Sequence, residues 1–185
     1  MEPDREKILI EQVLGGNQDA FRTLVKEYER LVLHIVTPLI GISEDREDIC
    51  QEVFIKVYKG LKGFNQTSRL STWIGAIAYN TSLNVLRKKK KHFSIDLAKT
   101  SQIRENNIAL TESAKPEENL IKEELNLSIS EAVNKLPGLQ RVVVLLFHYE
   151  ELSLKEIGKI IDAPENTVKS YLFRGRKKLK ELIKL

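Results

Sequence analysis

Apolar residues return at every third or fourth position through almost every patterned stretch of this chain, and no stretch alternates as a half-buried strand would. Phe21, Leu24, Val25, Tyr28, Leu31, Val32 and Ile35 make one such series; Ile49, Val53, Phe54, Val57, Tyr58 and Leu61 make another. A repeat near 3.6 gathers these side chains on one helix face, and that face must be buried against other helices. The expected fold class is therefore all-α. Helices are expected over 4–14, 18–40, 45–62, from about Trp73 to about Lys90, 117–135, 139–149, 153–161 and from Glu165 onward. Gly15-Gly16-Asn17, Gly41, Gly60, Gly63 and Pro137-Gly138 punctuate them. Residues 64–71 lack a period and read as a loop, with Ser71 or Thr72 placed to cap the helix that follows.

The pattern fails between 92 and 116, where polar residues dominate and only 103–110 could form a short helix. The expected organisation is two small helical domains, 1–91 and 117–185, joined by a flexible linker over 92–116. A hydrophobic content of 42% can supply cores, but aromatics are only 6%, so Leu, Ile and Val must do most of the packing. Cys50 is the single cysteine, which excludes an internal disulfide and argues against a cysteine metal site. The charged start Met1-Glu2-Pro3-Asp4-Arg5-Glu6-Lys7 is unlike a signal peptide. No apolar run approaches the roughly 20 residues of a membrane span. A cytoplasmic protein without a cofactor is expected.

The formal net charge of +4 is modest, so its placement matters more than its size. Arg87 to Lys91 is an unbroken basic run, and residues 165–185 carry seven Lys or Arg against Glu165 and Glu181. Within 153–178, Ser153 and Glu156 fit a capping box, Asp162-Ala163-Pro164 a tight turn, and the basic segment from Glu165 a second helix. Two helices so joined make a helix-turn-helix, whose second helix can enter a DNA major groove. Val168, Leu172, Gly175, Leu179 and Leu182 would face inward. Asn166, Lys169, Ser170, Phe173, Arg174 and Lys177 would face outward. Arg and Lys can pair with guanine, Ser can bond bases or phosphate, and Phe can pack on a thymine methyl, at about 1–3 kcal/mol of discrimination per good contact. A helical hairpin with a solvated basic face is the plainer alternative.

The helix from Trp73 carries Asn80, Asn84, Arg87 and Lys91 at steps of four, three and four, beside the polar loop. An aromatic, two amides and cations suit an unstacked base and its phosphates, though ordinary surface helices also look this way. Asp45, Glu47, Asp48 and Glu52 lie near the start of the preceding helix, where its dipole favours them; they could equally meet a basic partner protein.

Asp48-Ile49-Cys50-Gln51-Glu52-Val53-Phe54 resembles the "D-hydrophobic-x-QEVF" signature of bacterial sigma factors. Ser71-Thr72-Trp73-Ile74-Gly75-Ala76-Ile77-Ala78-Tyr79-Asn80, followed by Leu86-Arg87-Lys88, resembles their "STW-x-x-x-IA-x-N" stretch. The segments Leu152–Gly158 and Thr167–Leu179 resemble their C-terminal helix-turn-helix. The three occur in the family's order over nearly the whole chain, in the short two-domain form of the extracytoplasmic-function (ECF) subfamily. Asn166, Tyr171 and Leu70 stand where the family commonly has Gly, Arg and an aromatic.

The resemblance implies roles. Asp48, Gln51 and Glu52 would bind the clamp helices of core RNA polymerase. Asn65, Arg69, Ser71, Thr72, Trp73, Asn80, Asn84, Arg87 and Lys88 would capture the melted −10 element of promoter DNA. Thr167, Lys169, Ser170, Phe173, Arg174 and Lys177 would read the −35 element. A membrane-linked anti-sigma factor would hold the protein inactive. The rival reading is a stand-alone helix-turn-helix regulator with an N-terminal sensing or dimerising domain. An enzyme is disfavoured, because His34, His92 and His148 fall in separate segments and no H-E-x-x-H, G-x-S-x-G or phosphate loop occurs.

Overall fold

In a computed structural model, residues 3–41, 45–96 and 128–183 are described. Every regular element among them is helical: α1 (Pro3–Leu14), α2 (Gln18–Ile40), α3 (Asp45–Gly60), α4 (Leu70–Asp96), α5 (128–134), α6 (Gly138–His148), α7 (Leu154–Ile161) and α8 (Glu165–Ile183). A 3-10 turn, Leu61–Gly63, follows α3. Residues 97–116 of the expected linker, with the short helix considered at 103–110, and the start of the helix expected from 117 fall outside the described residues. The linker's first residues do not, and there α4 continues as helix to Asp96 rather than ending near Lys90.

Local chemistry explains most of the boundaries. Asn17 Oδ1 accepts the Asp19 and Ala20 amides at 2.9 and 3.1 Å and so starts α2. Gly41 ends it at φ 83°, its amide donating to Thr37 O. Asp45, Glu47 and Asp48 occupy the first turn of α3 and Lys59 the last, each at its favourable dipole end. Ser153 and Glu156 form the expected capping box on α7. The start of α4 departs from expectation. The helix begins at Leu70, three residues before Trp73, and Ser71 and Thr72 lie inside its first turn rather than capping it. The Leu70 amide is instead accepted by the carboxylate of Glu6, on α1, at 3.1 Å.

Helix α2 is central: it packs against α1, α3, α4 and α6, while α4 also packs against α3 and α7, and α8 against α6 and α7. Leu24, Val32, Ile35, Val53, Leu70 and Ile74 are fully buried in the N-terminal half, as are Val142, Leu146, Ile157 and Val168 in the C-terminal half. One continuous buried cluster contains both sets. Gly75 makes the approach of α4 to α7 possible, since a methyl there would lie 2.8 Å from Ile160 Cδ1. Polar groups bridge the same seam. Glu150 Oε1 accepts from His34 Nδ1 at 2.7 Å and from Arg30 Nε at 3.1 Å. Buried Arg141 donates to Thr37 O at 3.3 Å and to Asn134 O at 3.0 Å.

Candidate nucleic-acid and protein interfaces

Three exposed surfaces gather the residues singled out by sequence. The first is the outer face of α3, where Asp48, Gln51 and Glu52 are all exposed. Glu52 pairs with Lys56 one turn on, at 2.7 Å. The same stripe continues into Ile55 and Tyr58, each 52% exposed. Tyr58 was expected on the buried face of α3. It lies outside, edge-on to Phe21 at 5.0 Å, because Val53, Phe54, Val57 and Leu61 already fill the contact with the core. Gly16, Asn17, Gln18, Phe21 and Arg22 complete a shallow recess around these two apolar residues. Sequence reasoning missed Ile55; its signal was its spacing, four residues after Gln51 and three before Tyr58.

The second surface is the 64–69 loop with α4. Asn65 Oδ1 accepts from the Thr67 amide at 3.2 Å and from its hydroxyl at 2.8 Å, so the loop is braced from within. Trp73 is half-buried, tilted against Phe64 at 5.2 Å. Asn80, Asn84, Arg87 and Lys88 are exposed along α4, and Asn65 and Arg69 on the loop. Ser71 is half-buried and Thr72 is 3% exposed, and neither hydroxyl has a hydrogen-bond partner. Thr72 thus faces the interior, apart from the exposed stripe. Arg69 leans toward Glu156 of α7, with 3.6 Å between charged atoms. Burial opposes ionisation of Glu156, but bonds from Ser153 and the nearby Arg69 outweigh it and hold the carboxyl below its ordinary range.

The third surface is the outer face of α8. Val168, Leu172 and Gly175 are buried as expected, while Leu182, expected inward, is exposed because α8 there runs past the end of the core. Lys169, Ser170, Phe173, Arg174 and Lys177 are exposed, and Thr167 is half-buried at their edge. Phe173 is 70% exposed, the highest value among the exposed large hydrophobic residues. Arg174 lies over the Tyr171 ring at 5.8 Å, which limits the guanidinium's freedom before any contact forms. Ser170 donates to Asn166 O at 3.0 Å, and Lys169 pairs with Glu165 at 3.0 Å. Arg176 was not among the expected contacts. It lies over the Phe147 ring and donates to His148 Nε2 at 3.2 Å. Partial burial, then the Arg176 charge, pushes the His148 pKa down. The basic run from Arg174 to Lys178 was the signal for it.

Among the described residues, no three His, Cys, Asp or Glu side chains converge on a common metal position, and no helix is long and apolar enough to cross a membrane. Burial pushes the Cys50 thiol up to about 11, so it is a poor nucleophile.

Two family matches bracket these surfaces. Residues 24–92 match Sigma-70 region 2, and residues 126–179 match Sigma-70, region 4. The chain is 34% identical over 177 residues to the ECF RNA polymerase sigma factor SigW of Bacillus subtilis, covering 95% of each chain. It is 34% identical over 174 residues to the ECF RNA polymerase sigma-E factor of Escherichia coli K12, covering 92% of this chain and 90% of that one. Among solved structures, the sigma factor RpoE of Bartonella quintana, in complex with the anti-sigma factor NepR, superposes with a TM-score of 0.66 at 20% identity. That match covers 89% of this chain and 98% of the other. CnrH, in complex with the cytosolic domain of CnrY, superposes at 0.61 and 22%, covering 97% of both. At these identities the structural likeness concerns the fold alone.

Proposed function

The chain belongs to the ECF sigma factors of bacterial RNA polymerase, and we propose that its three exposed surfaces divide the work of promoter recognition. It binds core RNA polymerase and directs promoter-specific initiation. In this reading α3 docks on polymerase through Asp48, Gln51 and Glu52, with Ile55 and Tyr58 supplying apolar contact beside the charges. The exposed apolar pair carries the argument for that face, since two large side chains left in water beside a polar rim fit a protein interface.

The 64–69 loop and α4 capture the melted −10 strand. Arg69, Arg87 and Lys88 meet phosphates, Trp73 offers its exposed edge to a base, and Asn65, Asn80 and Asn84 supply amides. Helix α8 reads the −35 element with Lys169, Ser170, Phe173, Arg174 and Lys177. The functional units are 1–91 and 117–185, with 92–116 between them. The protein makes and breaks no covalent bond. Each unstacked base-pair step costs about 1.4 kcal/mol, which binding of the opened strand offsets. The proposed setting is the cytoplasm, with a membrane-linked anti-sigma factor as a further partner.

A stand-alone regulator would share α7 and α8 but has no use for the α3 face, and it would bind duplex alone as a dimer on paired half-sites. Gel filtration separates the two readings. The chain is expected to co-elute with core polymerase, and binding of the free chain as a dimer to paired half-sites, without co-elution, would establish the rival.

A further inference from the structure

Glu6 lies on α1, before the segment matched as region 2, yet one of its two hydrogen bonds ends on the strand-capture element and the other on α2. One carboxylate oxygen accepts the Leu70 amide at 3.1 Å, and the other accepts the Tyr28 hydroxyl at 3.2 Å. Leu70 opens α4, so its amide is one of the donors that a helix start leaves without an intrahelical partner. No side chain neighbouring it in sequence accepts from it in the structure. Arg69, which precedes it, has only donors, and Asn65 Oδ1 is already occupied by Thr67. Tyr28 is buried, and burial, followed by the Glu6 charge, drives its phenol pKa far up, so it remains a donor that holds Glu6 in place.

The local sequence offers a competing start. Ser71 and Thr72 are favoured N-cap types, and their hydroxyls have no partner in the structure. If either capped the helix, the first turn would unwind and the Arg69–Leu70 junction would join the loop. Arg69 would then lose its fixed place relative to Trp73 and to the Asn80–Arg87 stripe.

We propose that Glu6, braced by Tyr28, is a positioning residue for −10 strand capture: it sets where the loop ends and α4 begins, and so sets the register of Arg69 and Trp73 against the strand. This rests on the assignment of the 64–69 loop and α4 to that strand.

The test uses holoenzyme assembled from core polymerase and the full chain. The probes are single-stranded oligonucleotides carrying the non-template −10 sequence of a promoter this holoenzyme transcribes, together with single-base variants of it. The readout is the affinity ratio between matched and variant strands, because a loss of folded protein lowers all affinities together and leaves the ratio alone. Glu6→Ala is expected to reduce the ratio about fivefold, the scale of one lost helix cap. Glu6→Gln, which keeps an acceptor for the Leu70 amide, is expected to restore most of it. Tyr28→Phe, which keeps the ring and loses only the brace, is expected to fall between them.

Asn80→Ala and Arg87→Ala, which alter direct contacts, serve as the control. If they weaken strand binding and Glu6→Ala leaves the ratio unchanged, the positioning role is overturned while the strand-capture reading stands. An equal loss for every strand with Glu6→Ala would make Glu6 a fold-stabilising residue only, and also overturns it. If none of these variants weakens strand binding, the strand-capture reading fails and the proposal with it.

Discussion

One oxygen of Glu150 accepts from two residues of α2, His34 and Arg30, and the Glu150 side chain is 14% exposed. Burial works against its charge, but the His34 and Arg30 contacts prevail, and its pKa lies below the ordinary 4.5. A carboxyl depressed in this way stabilises the folded state fully above the unfolded value and loses that contribution as pH falls through the folded one. Glu150→Gln is therefore expected to cost about 1.5–3 kcal/mol at neutral pH, the range for hydrogen bonds to a charged group. The gap between wild type and variant should close as pH falls below about 4.5. Urea melts at pH 7 and below pH 4 measure it, and a gap that stayed constant with pH would remove the ionic account of this contact.

At the scale of the helix, α3 and α8 make separable predictions. Asp48→Lys with Glu52→Lys is expected to lower affinity for core polymerase, and Tyr58→Lys to do so independently, with −35 duplex binding by the isolated chain unchanged. Pull-down with core polymerase measures both; full retention by all of them would reject α3 as the docking face. On α8, Arg174→Ala is expected to cost about 1–3 kcal/mol of discrimination at one base pair of the −35 element if it pairs with guanine. Lys169→Ala should weaken binding to every sequence and shallow the salt dependence by about 0.9 in the log–log slope if it meets a phosphate. Competition binding against substituted −35 duplexes distinguishes these effects, and unchanged promoter output for both would clear this helix face.

The boundaries of α2, α7 and α8 were legible in the sequence because their caps and stop signals lie within a few residues of the ends they control. The inner stripe of α8 was legible as far as Leu179. The start of α4 was not, because its cap comes from Glu6, 64 residues earlier, and nothing local announces it. Ile55 and Tyr58 were misread or missed for a related reason. Periodicity places a side chain on a face, but only the neighbouring helices decide whether that face is covered.

Across the whole molecule, the two helices proposed to read the promoter, α4 and α8, belong to halves that share one buried cluster, joined at Gly75–Ile160, Thr37–Arg141 and His34–Glu150. Elements centred about 25 base pairs apart lie roughly 85 Å apart along B-form DNA at 3.4 Å per step. A packed chain of this length has a radius of gyration near 16 Å and cannot reach both. The residues from 97 to 127, fully drawn out, can span about 100 Å. If α4 and α8 hold the two elements as proposed, the seam parts when both are bound. Dyes on α3 and α8 are expected to show high energy transfer in the free chain and low transfer in the promoter complex; high transfer in both would mean that the halves stay joined. The shared cluster itself was hidden from the sequence, because helical stripes report that a face is buried and not which helix buries it.

The central claim is that this chain gives core polymerase its choice of start site. Run-off transcription measures it directly, with purified core polymerase and genomic templates, with and without the chain. Discrete transcripts that require the chain, and that vanish when either the −10 or the −35 sequence is replaced, are the expected result. Transcription that is unchanged by adding the chain, on every template, would contradict it.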